Sequence, residues 1–468
     1  MLGKVFKAYD IRAIYPNPLS TNTAWKIGYG TARFLFSEAE SVGATDPMMK
    51  YIIVGQDMRP SSPELSGALI NGLRHFGANI IRVGLVDTPF IYFAINHLDC
   101  AGGVQTTASH NPIEYNGFKI SGRTALPLGQ DTGLVEISKF AAMADENKIK
   151  SQEPPLGRVE ERDLWDDYRE HVLQFLDLGG KEMKVVIDAS NGMAGTMIPK
   201  IFSDIPGLEI IELNFDNTRD EFVHEPNPLV HSNLDQVRAA VRAEKADFGI
   251  CFDGDADRGI FVDENAEIIG CDHLTAWLAK FFLEMYPGSP IVYDLRSSKA
   301  VEESVVEAGG VPVRSRVGHV YMKQALRKHD ACFGGELSGH FYFKDNFYSD
   351  SGAIVFAVAL TALAQADAKL SAVIAPMARY KQSGEINFEN DNKDEALEEL
   401  SERFMGEGEI DELDGVSIDC FKSDGWWINV RKSNTEPLLR LNLEAKDEET
   451  LERMIDEVSP LLGKRVAH

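Results

Sequence analysis

The strongest constraint on the fold is a plan that occurs three times along the chain: an apolar strand, a loop, a helical stretch and a second strand. The copies begin at Tyr51–Asp57, Lys184–Asp188 and Ile291–Asp294, and each first strand ends in an aspartate. Continuous apolar strands separated by helical stretches predict sheets covered on both faces, with functional groups on the loops that follow the strand ends. The sequence therefore predicts three α/β units of related topology.

The C-terminal part of the chain follows a different plan. Three strand-like segments lie at Val416–Cys420, Gly425–Val430 and Leu438–Leu443, and a charged amphipathic helix is expected over Glu448–Leu461. Short connections between such strands are typical of an antiparallel sheet, so we expect a small α+β domain. The acidic stretch before it, residues 385–414, is interpreted as a solvated helix face.

Changes in composition near residues 150, 265 and 372 predict the domain boundaries. The expected fold class is α/β with four domains, of which the first three have mixed sheets and the fourth is α+β. The predicted domains are 1–150, 151–265, 266–372 and 373–468.

The charge balance limits the partners. The chain has 47 Lys and Arg against 73 Asp and Glu, a formal charge of −26, which disfavours nucleic acid and anionic membranes as partners. Five scattered cysteines without C-x-x-C spacing are typical of reduced thiols. The chain begins without a signal-like apolar stretch, and no run reaches the roughly 20 apolar residues that span a bilayer. We expect a cytoplasmic protein that acts on a small molecule as a monomer or homodimer.

The most informative segment is Asp253–Arg258, in which aspartates occupy alternate positions. Alternate side chains of an extended loop project to the same side, so three carboxylates would converge, and such a group favours a hard cation such as Mg²⁺ or Ca²⁺. An EF-hand is the main alternative, because Glu264 stands at the twelfth position of such a loop. The sixth position is Arg258 where that loop needs Gly, and the flanks are strand-like, which argues against it. A solvated acidic turn fits poorly with apolar strands on both sides. The three aspartates are Asp253, Asp255 and Asp257.

Thr106–Pro112 follows a short strand and contains Ser109 beside His110. Turn chemistry alone explains such residues. A hydrolase serine is a second interpretation, but the chain has no G-x-S-x-G sequence. A serine that carries a phosphoryl group is the third, and the acidic loop favours it because Mg²⁺ between phosphate and carboxylates recurs in phosphoryl transfer.

Two further polar loops stand out. Gly334–His340 places Glu336 and Ser338 two residues apart, where both could bind neighbouring hydroxyls, although a glycine-rich turn is the simpler interpretation. Arg431–Pro437 combines a guanidinium, hydroxyls and an amide, which is typical of an oxyanion site. An ordinary polar hairpin would explain its polarity, but not the local positive charge in so acidic a chain.

Taken in order, these segments resemble the motifs of the α-D-phosphohexomutase family, in its phosphomannomutase/phosphoglucomutase branch. Lys7–Arg12 resembles the family's opening signature, and Ser383–Asn387 resembles a phosphomannomutase segment. The resemblance implies four domains around a central active-site cleft. It also implies interconversion of hexose 6-phosphate and hexose 1-phosphate, with mannose or glucose as the sugar. A phosphoserine enzyme and a hexose 1,6-bisphosphate intermediate are implied, with Mg²⁺ as cofactor and the bisphosphate as activator.

The resemblance also implies roles for individual residues. Ser109 would carry the phosphoryl group, and its oxygen would bind Mg²⁺ together with the three aspartates. Arg12 and Arg258 would stabilise the transferring group, while Lys119 and His319 would transfer protons. The catalytic residues expected on this basis are Ser109, Arg12, Lys119, Arg258, His319 and His340. The substrate-binding residues expected are Glu336 and Ser338 for the sugar hydroxyls, and Arg296, Arg431, Ser433, Asn434 and Thr435 for the non-reacting phosphate.

Two positions depart from the family pattern. Ala13 stands where Gly is usual, and Leu337 stands where Met is usual, a change that conserves volume. Neither removes a charged group. The alternatives are a metal-dependent sugar-phosphate phosphatase, a phosphoglucosamine mutase of the same family, and a Ca²⁺-binding or sugar-sensing protein without catalysis.

Overall fold

The computed structural model describes residues 2–433 and 438–466. Two compact units are present: Met1–Cys271 with Ser338–Ser371, and Asp272–Leu337 with Ala372–His468. Across the described ranges, no helix combines the length and the apolar character needed to cross a membrane. The domain boundaries expected near residues 150, 265 and 372 stay predictions.

The first region of the first unit is a six-stranded mixed sheet in the order β1-β5-β4-β2-β3-β6. Its strands are β1 Ile11–Ile14, β2 Tyr51–Gln56, β3 Asn79–Leu85, β4 Gly102–Thr106, β5 Tyr115–Gly122 and β6 Val159–Glu161. Its helices are α1 Thr21–Ser41, α2 Ser62–His75, α3 Thr88–Leu98, α4 Leu134–Met143 and α5 Glu146–Ser151. Strands β6, β3, β2 and β4 are parallel, whereas β5 and β1 are antiparallel to their neighbours. Helices α1, α2 and α4 contribute Leu35, Leu69 and Ile137 to one buried cluster.

The second region of this unit is a four-stranded mixed sheet in the order β10-β9-β7-β8. Its elements are α6 Trp165–Leu173, β7 Met183–Asp188, α7 Ala194–Phe202, β8 Leu208–Leu213, α8 Asp235–Glu244, β9 Phe248–Phe252 and β10 Gly259–Asp263. Strand β7 is parallel to β8 and β9, and β10 is antiparallel to β9. Every residue of β9 and β10 is buried, so the loop that joins these strands, residues 253–258, begins and ends inside the core.

A third region supplies elements to both units. The elements in the second unit are α9 Cys271–Met285, β11 Pro290–Asp294, α10 Lys299–Glu307, β12 Val311–Ser315, α11 His319–His329 and β13 Phe333–Gly335. The first residue of α9, Cys271, belongs to the first unit. Strands β12 and β13 flank β11, and both are parallel to it. The elements in the first unit are the antiparallel pair β14 Phe341–Phe343 and β15 Ser349–Asp350, followed by α12 Gly352–Ala366. Helix α12 is buried along most of its length, and the short α13, Leu370–Ile374, follows it.

The C-terminal region is an antiparallel sheet in the order β17-β18-β19-β20-β16-β21. Its elements are β16 Lys381–Glu389, α14 Lys393–Arg403, β17 Glu409–Asp411, β18 Val416–Asp419, β19 Trp426–Lys432, β20 Leu438–Ala445, α15 Glu448–Leu462 and β21 Lys464–Val466. The interpretation of residues 385–414 as one helix face is wrong in part. Helix α14 lies in the middle of this stretch. The first residues of the stretch belong to β16, where Ile386 and Phe388 enter the core. The alternation of those two apolar residues with polar ones is a strand pattern.

Candidate active site

The acidic loop between β9 and β10 brings three carboxylates together. The side chains of Asp253, Asp255 and Asp257 are at most 2% exposed, and one oxygen from each lies within 4.8 Å of the others. Within the described ranges, Oδ1 of Asp255 is buried without a hydrogen-bond partner, and Oδ1 of Asp257 has the ring of His340 nearby, at 3.4 Å. Buried carboxylate oxygens without donors are costly unless a cation is present. The donor set therefore fits a hard, oxygen-liganded divalent ion.

The charges of this loop act on one another. Burial and the negative charges of Asp257 and Asp255 raise the pKa of Asp253 well above its usual value. Burial alone would raise the pKa of Asp257, but the positive charges of Lys119 and His340 outweigh this effect and lower the pKa of that carboxyl. A group whose members repel one another in this way is stabilised by positive charge placed among them.

Ser109 lies against this loop. It belongs to the connection between β4 and β5, its side chain is buried, and Oγ donates a hydrogen bond to Oδ2 of Asp253 at 2.7 Å. Its backbone is left-handed, with φ of +49°, which costs a residue other than Gly about 1–3 kcal/mol. The backbone N–H donates to Oγ1 of Thr107 at 2.9 Å. This strained backbone conformation directs the hydroxyl of Ser109 toward Asp253.

Gly254 allows the two loops to meet. A Cβ built on this residue would lie 2.3 Å from the carbonyl oxygen of Ser109. Main chain therefore packs directly on main chain at this point, and any larger residue would separate the serine from the carboxylates.

Lys119, on β5, reaches the same carboxylates. Its Nζ lies 2.8 Å from Oδ2 of Asp255 and also pairs with Oδ2 of Asp257. Burial opposes the ammonium charge, but the two carboxylates outweigh it and raise the pKa of Lys119. In this arrangement Lys119 is a cation held between two of the proposed metal ligands.

Arg258 and His340 complete this face of the site. Arg258 Nε lies 3.8 Å from Oδ2 of Asp253 and 3.3 Å from Nε2 of His340. His340 Nε2 lies 3.4 Å from Oδ1 of Asp257, and its Nδ1 lies 2.8 Å from Oγ of Ser338. The structure therefore brings five of the sequence-predicted residues and the aspartates into one cluster within the first unit: Ser109, Lys119, Arg258, Ser338 and His340.

Arg12, on β1, contacts the serine loop from another side. Its Nη1 donates to Oδ1 of Asn111 at 2.6 Å, and its Nη2 pairs with Oδ2 of Asp10 at 2.5 Å. A guanidinium next to the loop of Ser109 is placed to stabilise negative charge there.

Sequence reasoning missed two residues of this face. His110 Nδ1 lies 3.2 Å from Oγ of Ser109, and burial together with the nearby positive charges lowers the pKa of His110 well below its usual value. The low pKa favours the neutral ring, whose Nδ1 is within hydrogen-bond distance of the serine oxygen. Thr88, the first residue of α3, donates from Oγ1 to Oδ2 of Asp255 at 2.5 Å and from its N–H to the carbonyl of Asp255 at 3.1 Å. The signal for Thr88 was weak, since Thr before Pro is also an ordinary helix start.

The second unit contains a separate group of charged residues. Glu385 Oε2 accepts from Arg431 Nη2 at 2.9 Å, Glu385 Oε1 accepts from Arg440 Nη1 at 3.0 Å, and Arg296 Nη1 lies 4.0 Å from Oε2. Burial opposes the carboxylate form, but these three guanidinium groups together lower the pKa of Glu385. Arg440 was not predicted from the sequence. Ser433 lies next to it, with Oγ 3.5 Å from Arg440 Nη2.

The remaining predicted residues of the second unit lie around β11 and β13. Arg296 pairs with Asp294 at 2.9 Å and lies 3.9 Å from Oε1 of Glu336. Glu336 is buried and accepts from the N–H of Gly318 at 2.9 Å, directly before His319 at the start of α11. The predicted residues Asn434 and Thr435 lie outside the described residues.

A hydroxyl beside three convergent carboxylates is an arrangement suited to metal-assisted phosphoryl transfer. Comparison with known proteins also indicates enzymes that transfer phosphoryl groups on sugars. Four family models of phosphoglucomutase/phosphomannomutase match: alpha/beta/alpha domain I at residues 3–148, domain II at 166–267, domain III at 271–380, and the C-terminal domain at 385–461.

Individual relatives match over nearly their whole length. A phosphomannomutase of Vibrio cholerae serotype O1 is 37% identical over 469 residues, which cover 98% of each chain. A phosphomannomutase of Escherichia coli K12 is 37% identical over 450 residues, which cover 94% of each chain. The crystal structure of a phosphoglucomutase/phosphomannomutase family protein from Burkholderia thailandensis has a TM-score of 0.84 at 31% identity, and covers 98% of this chain and 96% of its own.

The protein is therefore a phosphohexomutase, an isomerase of carbohydrate metabolism. Within that class, the chain belongs to the phosphoglucomutase/phosphomannomutase family. The resemblance stated from the motifs is confirmed, and so is the predicted fold class of three α/β domains followed by a C-terminal domain with an antiparallel sheet.

Proposed function

We propose that the protein interconverts hexose 6-phosphate and hexose 1-phosphate, with mannose, glucose or both as the sugar, through a phosphoserine at Ser109. The single observation that carries this proposal is the buried hydroxyl of Ser109 directed at Asp253 within the acidic loop, 2.7 Å from Oδ2. The four family models and the full-length relatives named phosphomannomutase support the choice of reaction.

The reaction has two transfers. In the first, the P–Oγ bond of phospho-Ser109 breaks, a P–O bond to the free sugar hydroxyl forms, the hydroxyl proton passes to a base, and the released serine oxygen takes up a proton. The product is hexose 1,6-bisphosphate, which turns around and returns its other phosphoryl group to Ser109. Free bisphosphate acts as activator because it phosphorylates an enzyme that has lost its phosphoryl group.

Mg²⁺ is the proposed cofactor, held by the three aspartates of the acidic loop and an oxygen of the Ser109 side chain. When bound, it supplies positive charge to the oxygens of the transferring group. Arg258 and Arg12 contribute guanidinium groups to the same oxygens. Proton transfer at the sugar hydroxyls is assigned to Lys119 and His319, and His340 lies beside the aspartates where it adds positive charge when protonated.

The non-reacting phosphate is assigned to the arginine group of the second unit, with Arg431, Arg296 and Ser433 in their predicted roles. Arg440 joins them because it shares the carboxylate of Glu385 with Arg431. Glu336 and Ser338 are assigned to the 3- and 4-hydroxyls of the sugar. An anion site of this kind recognises the phosphate and not the carbon that carries it, so it serves both orientations of the bisphosphate.

The test uses purified protein and the Ser109→Ala variant. Intact mass should show one phosphoryl group on the wild type and none on the variant, and the variant should lose turnover of mannose 1-phosphate and glucose 1-phosphate. A chelator should abolish turnover, and added Mg²⁺ should restore it. Full activity of Ser109→Ala would refute the proposal. Release of inorganic phosphate without hexose 6-phosphate would instead favour a phosphatase, and preference for glucosamine 1-phosphate a phosphoglucosamine mutase.

A further inference from the structure

Arg59, in the loop after β2, is buried beneath the loop that carries Ser109. Its side chain is fully buried, and Nε pairs with Oδ2 of Asp57 at 3.2 Å. The other nitrogens donate to four main-chain carbonyls, three in the serine loop and one on Tyr115, the first residue of β5. These contacts are Nη2 to Ser109 at 2.8 Å and Asn111 at 2.6 Å, and Nη1 to Pro112 at 2.6 Å and Tyr115 at 3.1 Å.

The partners of Arg59 are unusual for a buried arginine, because most of them are main-chain carbonyls. A buried guanidinium normally pairs with carboxylates, because desolvation of the charge must be offset. Arg59 has one carboxylate partner, Asp57. Its remaining N–H groups donate to carbonyls that all belong to a segment about 50 residues away in sequence. Only a planar group with five donors can satisfy four carbonyls and a carboxylate at once.

A second segment covers Arg59. The ring of Phe222 lies over its guanidinium, with 5.4 Å between Cζ and the ring centre. The segment is fixed two residues later, where His224 Nε2 lies 3.2 Å from Oδ2 of Asp188 and Nδ1 lies 2.8 Å from the carbonyl of Glu225. Since both ring nitrogens face acceptors, a protonated His224 satisfies both. The contact between His224 and Asp188 thus fixes the segment that covers Arg59, while Cys251, which lies beside this pair, contacts Oγ of Ser190 at 3.4 Å.

We propose that Arg59 is the positioning residue of Ser109: it holds the carbonyls of the serine loop inward and thereby maintains the left-handed backbone that directs Oγ at Asp253. Arg59 lies below the loop and does not bind the sugar. Its loss is therefore expected to change the orientation of the nucleophile and not the affinity for the sugar phosphate. The inference rests on the proposed role of Ser109 as the phosphoryl carrier.

The test compares Arg59→Lys with Arg74→Lys. Lysine at 59 keeps the charge beside Asp57 but cannot reach four carbonyls, and we expect kcat to fall about 100-fold while KM changes less than threefold. Arg74 is the matched control, because its Nε also donates to a main-chain carbonyl, that of Gly157, at 2.8 Å, far in sequence from the serine loop. The control should keep kcat even where its melting temperature falls as much as that of Arg59→Lys.

Rephosphorylation gives a second measurement on the same two variants. After removal of the phosphoryl group, intact mass follows its return to Ser109 from glucose 1,6-bisphosphate, and Arg59→Lys should be slower than the control by the same factor as kcat. A kcat of Arg59→Lys within threefold of the wild type overturns the inference, and so does an equal fall in kcat for Arg74→Lys. If Ser109→Ala is active, the proposed function fails. If it is inactive while Arg59→Lys is normal, only this inference fails.

Should Arg59→Lys not fold, Asp57→Asn replaces it. The amide keeps the size and one acceptor oxygen but removes the charge opposite the guanidinium. We expect a fall in kcat of about tenfold with an unchanged KM. A normal kcat in a folded Asp57→Asn protein would overturn the inference in that case.

Discussion

Replacement of Gly254 by Ala tests the contact between the two loops most directly. The new Cβ would lie 2.3 Å from the carbonyl oxygen of Ser109 and 3.2 Å from its carbonyl carbon. Neither atom belongs to a flexible side chain, so one of the loops must move by about 1 Å to restore an ordinary contact. That movement separates Oγ of Ser109 from the carboxylates.

The size of the effect follows from this displacement. A shift of about 1 Å at a reacting group costs about 100-fold in rate, or about 2.7 kcal/mol of barrier. Overpacking of the loop should also lower the free energy of unfolding by about 1–3 kcal/mol. We therefore expect kcat for mannose 1-phosphate to fall about 100-fold, with a cooperative but lower melting transition.

The control for Gly254→Ala is Gly67→Ala in α2. A Cβ on Gly67 has nothing within 4 Å among the residues that the structure describes, and Ala in a helix interior is favoured over Gly by about 1 kcal/mol. This variant should keep kcat and melt at a slightly higher temperature. The reasoning is refuted if Gly254→Ala keeps kcat within threefold of the wild type.

Two further predictions concern residues around these loops. Thr88→Val removes a hydroxyl that donates to Asp255 and should raise the Mn²⁺ dissociation constant, measured by electron paramagnetic resonance, about tenfold, while Thr88→Ser should restore it. Burial opposes protonation of His224, but its hydrogen bond to Asp188 and the charge of that carboxylate raise the pKa of His224 above 6.5. Its stabilising effect is therefore complete below the unfolded pKa and is lost as the pH rises through the folded one. The melting temperature of His224→Gln should fall below that of the wild type at pH 5.5 and approach it at pH 9.

Each of these two predictions has an outcome that contradicts it. For Thr88, equal Mn²⁺ affinity in the Val and Ser variants would show that the hydroxyl does not orient Asp255. For His224, a difference in melting temperature that is constant from pH 5.5 to pH 9 would show that the ion pair with Asp188 contributes nothing.

The sequence predicted the parts of the site whose determinants are local. Alternate aspartates between two apolar strands are enough to predict that Asp253, Asp255 and Asp257 converge. The expected extended loop is wrong, because the segment is a turn in which Ala256 is left-handed, with φ of +57°, and its N–H donates to the carbonyl of Asp253 at 3.1 Å. Strands β18, β19 and β20 were predicted from their apolar residues, whereas β16, β17 and β21 were missed. In β16, acidic residues concealed the alternation of Ile386 and Phe388.

The parts that were missed depend on contacts between distant segments. Arg59 serves carbonyls about 50 residues further along the chain, and Arg440 shares Glu385 across 55 residues. Asp57, two residues before Arg59, pairs with it, but nothing near either arginine in the sequence indicates these distant partners. Thr88 and Asp255 are separated by 167 residues, so their hydrogen bond is a product of tertiary packing alone.

The carboxylate of Glu385 has a consequence for how a ligand enters the second unit. With Arg431, Arg440 and Arg296 around it, this side chain stands where an incoming phosphate is proposed to bind. Phosphate binding there would replace the carboxylate of Glu385 with the phosphate. The binding free energy would then be the difference between the interactions of the three arginines with a phosphate dianion and with a single carboxylate. If the phosphate binds as proposed, Glu385 competes with it for the same three guanidinium groups.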